Sequence, residues 1–169
     1  TDGGGIDGWT EINGGDGGAV AVDPGNTNIL YSEHFNLSIE KSVNGGAASP
    51  TWTSAISGIN TGVDQGFLFI VPFLMDPGNA QRLWTGGWYM WRTTDGAATW
   101  NRASAILPGT GSLSVVAVSP ANANNVLAGM DDGVIARTTI GLASGPGDNW
   151  PGVQPRTGYV AGLGFHPTD

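Results

Sequence analysis

The sequence has no cysteine, and charged residues make up only 12% of its 169 residues. Without cysteine there is no disulfide, no thiol nucleophile and no thiolate-bound metal. Six Lys and Arg residues against 14 Asp and Glu residues give a net charge of −8. A chain so poor in cations cannot form the basic patch that nucleic acids and anionic membranes require, so we expect neither as a partner. We also expect no membrane span, because no apolar run approaches the ~20 residues that cross a bilayer.

Glycine and proline are abundant instead, with 29 and 10 residues, and 40% of the chain is apolar, including seven Trp residues. This apolar content argues against a disordered tail, and the glycines lack the period of three that collagen requires. A composition without cysteine and poor in lysine is typical of exported bacterial proteins. We therefore predict an extracellular or periplasmic location, and we interpret the chain as a mature segment or an internal piece because no signal peptide is visible.

A short motif of apolar residues followed by Asp, Ser or His and then Pro recurs four times along the chain. The four copies occupy residues 21–26, 74–79, 117–122 and 164–169, and their prolines lie 53, 43 and 47 residues apart. Each of the first three copies precedes a short apolar stretch and then a turn that begins with Ser or Thr and ends in Trp. These turns occupy residues 42–52, 93–100 and 138–150. Four features in constant order identify a structural repeat.

Each repeat is predicted to contain four short strands and no helix longer than one turn. Alternating or continuous apolar runs of five to eight residues, such as 67–73, are bounded by Gly and Pro. Repeats of about 40–50 residues with four strands are typical of β-propeller blades. We predict an all-β fold: a single partial β-propeller, an arc of four-stranded antiparallel blades. The predicted ranges are a blade remnant at 1–14, blades at 15–60, 61–108 and 109–158, and the start of a next blade at 159–169.

Three and a half blades cannot close a ring, because a propeller needs at least four. An open arc would leave exposed sheet edges, which proteins avoid. The predicted partners of the arc are therefore the rest of a longer propeller or a second copy of the chain.

The turn from Thr93 to Trp100 resembles the Asp-box, Ser/Thr-x-Asp-x-Gly-x-Thr-Trp, of the BNR-repeat propellers. That group includes sialidases, xyloglucanase-type glycoside hydrolases, sortilin-like domains and photosystem assembly factors. A looser copy has Asn in place of Asp and a small insertion. The resemblance implies Asp-box turns with structural roles for Ser42, Asn44, Trp52, Thr93, Asp95 and Trp100. A carboxylate in such a turn can accept several backbone N–H bonds, and we expect Trp52 and Trp100 to be buried between blades.

Asp16 is the candidate catalytic residue, since glycines on both sides allow a close backbone approach to a ligand. Residues 15–18 resemble, one residue short, the Gly-Asp-x-Gly-Gly segment that carries a catalytic acid in xyloglucanase-type hydrolases. The Arg-Thr-Asp-x-Gly-Gly segment that carries the second carboxylate in that family has no match here. A turn residue and a plain ligand contact remain alternative roles for Asp16.

Loops at one mouth of the propeller channel supply the remaining candidates for ligand binding. They are Asp64, Gln65, Trp88, Tyr89, Asp131, Asp132, Glu33 and His34. Trp88 and Tyr89 could stack on sugar rings, whereas Asp131 and Asp132 read first as a β-turn and second as a ligand contact. Glu33 and His34 are adjacent on a strand, so we expect their side chains to point to opposite faces.

These features predict a secreted BNR-repeat propeller module that binds glycan or protein at the channel mouth, with neutral polysaccharide or another protein as partner. The alternative is part of a glycoside hydrolase, which needs two carboxyl groups about 5–10 Å apart. A sialidase is disfavoured because the sequence has no Phe-Arg-Ile-Pro segment. We predict no cofactor and no metal, since neither a calcium loop of alternating Asp nor a His-x-x-x-His motif is present.

Overall fold

The computed structural model describes residues 11–62 and 66–168. This part of the chain forms twelve β-strands and no helix. The strands are β1 (Val20–Val22), β2 (Leu30–Glu33), β3 (Ile39–Ser42), β4 (Thr53–Ser54), β5 (Phe73–Asp76), β6 (Asn79–Gly86), β7 (Met90–Thr93), β8 (Trp100–Arg102), β9 (Leu113–Val118), β10 (Val126–Met130), β11 (Ile135–Thr138) and β12 (Gly152–Val153). They form three four-stranded antiparallel sheets in which chain neighbours pair, so the predicted all-β arc of four-stranded units is confirmed.

The recurring motif with proline makes the hairpin between the first two strands of each sheet. The carboxylate of Asp23 accepts the backbone N–H of Gly25 at 2.8 Å, and Asp76 does the same for Gly78 at 2.8 Å. In the third sheet the hydroxyl of Ser119 takes this role. These side chains replace ladder bonds that the turn lacks, which explains why the motif recurs at this point of each repeat.

The fourth copy of the motif gives a different result. We expected a strand at residues 162–166, but residues 162–168 form none in the structure. A strand requires a neighbouring strand for its backbone bonds, and this segment pairs with no other in the described part of the chain.

The three sheets lie side by side, with β1 in contact with β5 and β5 in contact with β9. Apolar side chains from facing sheets fill two cores, one on each side of the middle sheet. Tyr31 of the first sheet meets Phe73 of the second edge to face, with 6.4 Å between ring centroids. The first strands therefore lie together along one side of the arc, where a propeller has its channel.

A cation in β3 and another in β7 fasten each sheet to the next. The Lys41 ammonium donates to the carbonyl of Gly96 at 2.8 Å. Arg92 of the second sheet donates to the carbonyl of Gly141 and, at 3.2 Å, to that of Ser144. Each acceptor glycine belongs to the turn after the third strand of the following sheet. Sequence inspection did not reveal this contact, because its two partners lie about fifty residues apart.

The two ends of the sheets carry different loops, and we name them for use below. The mouth is the end at which β1, β5 and β9 begin; it carries the β2–β3, β6–β7 and β10–β11 loops and the lead-in segments before each first strand. The turn end is opposite and carries the β3–β4, β7–β8 and β11–β12 turns, which include the box-like sequences. Within the described ranges, no helix is long and apolar enough to cross a membrane.

Candidate functional site at the mouth

The turn from Thr93 to Trp100 is closed by its own polar side chains. The Thr93 hydroxyl donates to Asp95 Oδ1 at 2.7 Å, and the backbone N–H of Thr99 donates to the same oxygen at 2.9 Å. These bonds hold the pKa of Asp95 below its ordinary value, with the Thr93 hydroxyl contributing most. Asp95 is thus engaged within its turn and lies at the turn end, away from the mouth.

The corresponding turn of the first sheet has the same arrangement with an amide in place of the carboxylate. The Ser42 hydroxyl lies 3.0 Å from Asn44 Oδ1, which also accepts the backbone N–H of Thr51 at 2.9 Å. An amide oxygen can accept the same bonds as a carboxylate, so the substitution preserves the turn.

The two box tryptophans differ in burial. Trp100 is 2% exposed and its indole N–H donates to the carbonyl of Ala55 at 2.7 Å, so its expected burial between sheets is confirmed. For Trp52 the same expectation is wrong, because the ring is only partly buried. Its indole donates to the carbonyl of Ile12 at 2.8 Å. The face of the first sheet that carries Trp52 has no sheet packed against it in the described residues.

Asp131 and Asp132 fasten the β10–β11 loop to the lead-in segment of β9. Asp132 Oδ2 accepts the backbone N–H groups of Thr110 at 2.8 Å and Gly111 at 3.0 Å, and Asp131 Oδ1 accepts that of Ser112 at 2.8 Å. Burial raises the pKa of Asp132, but these backbone donors outweigh burial and leave that pKa below its ordinary value. Both carboxylates are occupied by the protein itself.

Glu33 and His34 point in different directions, as expected for neighbours on a strand. Glu33 is fully buried, and its Oε1 accepts the backbone N–H of Val71 in the second sheet's lead-in segment at 3.4 Å. Its Oε2 has no hydrogen-bond partner in the described chain, and burial raises the pKa of this carboxyl. His34 Nε2 instead lies 3.2 Å from Glu40 Oε2, which also accepts the Asn13 amide at 3.1 Å.

Asp16 lies exposed in the glycine-rich segment before β1. The surrounding glycines have a packing role: a Cβ on Gly15, whose φ is 114°, would lie 2.6 Å from His34 Nδ1. A Cβ on Gly18 would lie 1.9 Å from Glu33 Oε2. The segment needs glycine to pass over these two side chains, whatever it binds. Asp64 and Gln65 lie outside the described residues.

Trp88 and Tyr89 differ in how open their rings are. Trp88 is 37% exposed and covers Gly66, where a Cβ would lie 2.2 Å from the indole ring. Trp88 also lines a groove of about 200 Å³ together with Ile106 and residues 109–111. The ring of Tyr89 is covered by the Arg102 guanidinium, 4.5 Å from the ring centroid. Trp88 therefore offers a surface to a ligand, and Tyr89 does not.

Sequence inspection missed the most exposed aromatic pair at the mouth. Phe35 and Phe69 are 44% and 57% exposed, and their rings stack with centroids 5.8 Å apart and planes at 11°. The alternating apolar run 67–73 was interpreted as strand, but β5 begins only at Phe73, so Phe69 lies in the lead-in segment. The useful signal was the position of Phe35 directly after Glu33 and His34, in a mouth loop.

No family model and no curated protein sequence matches the chain. Three solved structures resemble it. An ancestral GH74 enzyme is 23% identical, with 89% of this chain and 20% of that chain covered and a TM-score of 0.57. The GH74 xyloglucanase from Xanthomonas campestris is 18% identical, with 85% and 22% covered and a TM-score of 0.55. YCF48 bound to D1 peptide is 19% identical, with 78% and 40% covered and a TM-score of 0.51.

These neighbours are β-propellers, and the three meander sheets with adjacent first strands have the same arrangement. The fold is an arc of a β-propeller. The chain spans about a fifth of the length of the two GH74 proteins and two fifths of YCF48.

Proposed function

We propose that the chain is part of a secreted BNR/Asp-box propeller that binds a neutral polysaccharide at its mouth. The observation that carries this proposal is Trp88, an exposed indole beside a groove in a region where the polar candidates are already engaged. Flat aromatic rings pack well against the C–H faces of sugars, and groups in the groove can bond sugar hydroxyls. The bonded turns at Thr93 and Asp95 support the Asp-box assignment.

The distribution of charge favours a neutral ligand. Lys41 and Arg92 are committed to turn carbonyls, and Arg102 lies over Tyr89. An anionic sugar would require cations grouped at the groove, and the residues that line it carry none. The net charge of −8 would further oppose an anionic ligand. Because one fold neighbour is a xyloglucanase, xyloglucan is the natural first probe.

Binding fits this site better than hydrolysis does. A glycosidase needs two available carboxyl groups about 5–10 Å apart. Of the mouth carboxyls that the structure describes, Asp131 and Asp132 are bonded to backbone N–H groups and Glu33 is buried. Asp16 remains exposed and is retained as the candidate for the hydrolytic alternative.

Affinity electrophoresis in gels that contain xyloglucan tests the proposal. We expect the wild-type protein to be retarded and Trp88→Ala to migrate as in a gel without polysaccharide. Ile140→Ala is the matched control, since Ile140 is 48% exposed at the turn end, and this variant should be retarded like wild type. Retardation of Trp88→Ala equal to that of wild type would refute the proposal.

Asp16→Asn separates binding from hydrolysis in the same assay. A binding module predicts slightly weaker retardation and no release of reducing sugar from any variant. Turnover by wild type that Asp16→Asn abolishes, with retardation unchanged, would favour the hydrolase. Wild type that binds no neutral polysaccharide but captures an extended peptide would favour a protein partner, as in YCF48 bound to D1 peptide.

A further inference from the structure

The stacked pair of Phe35 and Phe69 leaves about half of each ring in solvent. Exposed single apolar residues are common in folded proteins, but neighbouring exposed aromatic rings mark interaction sites. The pair lies at the mouth, where the β2–β3 loop meets the lead-in segment of β5. This lead-in segment also contains Gly66, the glycine that Trp88 covers. The pair and Trp88 are thus two parts of one surface.

The loop that presents Phe35 is held in an uncommon backbone conformation. Asn36 and Leu37 have φ values of 52° and 62°, which non-glycine residues rarely adopt. Leu37 is 1% exposed in the core between the first two sheets, and Asn36 N–H donates to the carbonyl of Phe69 at 2.8 Å. The buried Leu37 and this bond fix the loop so that Phe35 stays outside the core and beside Phe69.

Glu33 fastens the two segments from below. It lies two residues before Phe35, and its acceptor bond is to Val71, two residues after Phe69. Glu33 is fully buried, so it cannot itself contact a ligand at the surface. Its bond crosses from the first sheet to the second directly beneath the ring pair. Loss of this bond would allow the lead-in segment to shift and would separate the rings.

We propose that the Phe35–Phe69 stack is a second platform for the neutral polysaccharide and that Glu33 is its positioning residue. This inference rests on the proposed function and extends it to a site between the first and second sheets. The near-parallel rings offer an apolar surface, and the exposed Asn36 beside them can bond hydroxyl groups. Cations that could hold an acidic ligand are absent from both described segments, 34–38 and 66–72. A polysaccharide that spans the platform and Trp88 should bind more tightly than a short oligosaccharide.

Dissociation constants for xyloglucan, from the same retardation gels at several polysaccharide concentrations, test the platform. We expect Phe69→Ala and Phe35→Ala each to weaken binding by about fivefold or more, as removal of an aromatic contact commonly does. Ile140→Ala should bind like wild type. Wild-type affinity in both Phe variants would overturn the platform while leaving the proposed function intact. Weakened Phe variants beside an unaffected Trp88→Ala would have the reverse meaning, and a wild type that binds nothing would overturn both.

The role of Glu33 is tested by a conservative and a truncating variant. Glu33→Gln keeps an oxygen that can accept from Val71 and should bind with wild-type affinity, whereas Glu33→Ala should weaken binding as much as Phe69→Ala. Ring-current shifts of the Phe35 and Phe69 side chains, measured by NMR without ligand, should be preserved in Glu33→Gln and lost in Glu33→Ala. If Glu33→Ala fails to fold, Glu33→Gln still decides, because lost ring-current shifts in this folded variant would overturn the positioning role. Preserved shifts in a folded Glu33→Ala would also overturn it.

Discussion

The two ends of the sheets use polar and aromatic side chains in opposite ways. At the turn end, Thr93 and Asp95 bond to each other and to backbone, and the Trp100 that follows is buried. At the mouth, Phe35 and Trp88 remain partly in solvent. The repeated sequence features therefore build the sheets, and the features that do not repeat are left to meet a ligand. Substitutions at the two ends should separate loss of stability from loss of binding.

The largest expected effect is that of Trp100→Ala. Trp100 is 2% exposed and bonds the preceding sheet through its indole, so truncation leaves a cavity and an unpaired carbonyl. Such losses cost about 3–5 kcal/mol in unfolding free energy. Urea denaturation measures the loss, with Phe69→Ala as control, since an exposed side chain should cost about 0.5 kcal/mol or less. Equal losses in the two variants would contradict the separation of the two ends.

Asp132→Ala should have a smaller effect, and it marks an exception at the mouth. Its carboxylate accepts the N–H groups of Thr110 and Gly111, and for a partly exposed group we expect a loss of about 1–2 kcal/mol. Because the pKa of Asp132 is lowered by folding, its contribution is present above the unfolded pKa of about 3.9 and disappears as pH falls further. Urea denaturation at pH 7 and pH 3 should show a difference from wild type only at pH 7. Asp16→Ala, at an exposed position, should match wild type at both pH values.

Glu33 should show the opposite dependence on pH. Burial raises its pKa, so it stabilises the fold most when protonated, below the unfolded pKa of about 4.3, and less as pH rises toward the folded pKa. We expect the stability of Glu33→Gln relative to wild type to increase between pH 4 and pH 7, by about 1 kcal/mol or less. Unfolding curves at the two pH values measure this change. A relative stability that falls over the same range would show that the carboxylate is well satisfied in the fold.

The fold was predictable because the signals that encode it are local. The proline motif makes its hairpin with residues two or three positions away, as the bonds of Asp23 and Asp76 show. The Asp95 turn is equally local, since all its partners lie within four residues. Repetition of these signals at regular spacing identifies a blade without knowledge of any distant contact.

The candidate site was predictable only in part because its contacts are distant. Asp131 and Asp132 read as ligand contacts until the structure shows their bonds to segment 110–112, about twenty residues earlier. Phe69 lies in a run with strand-like alternation, yet its segment crosses the mouth and packs beside Phe35, 34 residues earlier. Tyr89 was expected to be open, but Arg102 covers its ring. The identity of a loop residue does not reveal which distant loop will occupy it.

The central claim is that the mouth binds ligand and the turn end does not, and one NMR titration tests it directly. A neutral xyloglucan oligosaccharide is added to ¹⁵N-labelled protein, and the backbone amide shifts are followed. The account predicts shifts at residues 34–38, 66–72 and 87–89 of the mouth, with none at the 42–52, 93–100 and 138–150 turns. Shifts confined to the turn end would contradict it, as would a full titration without any change at the mouth.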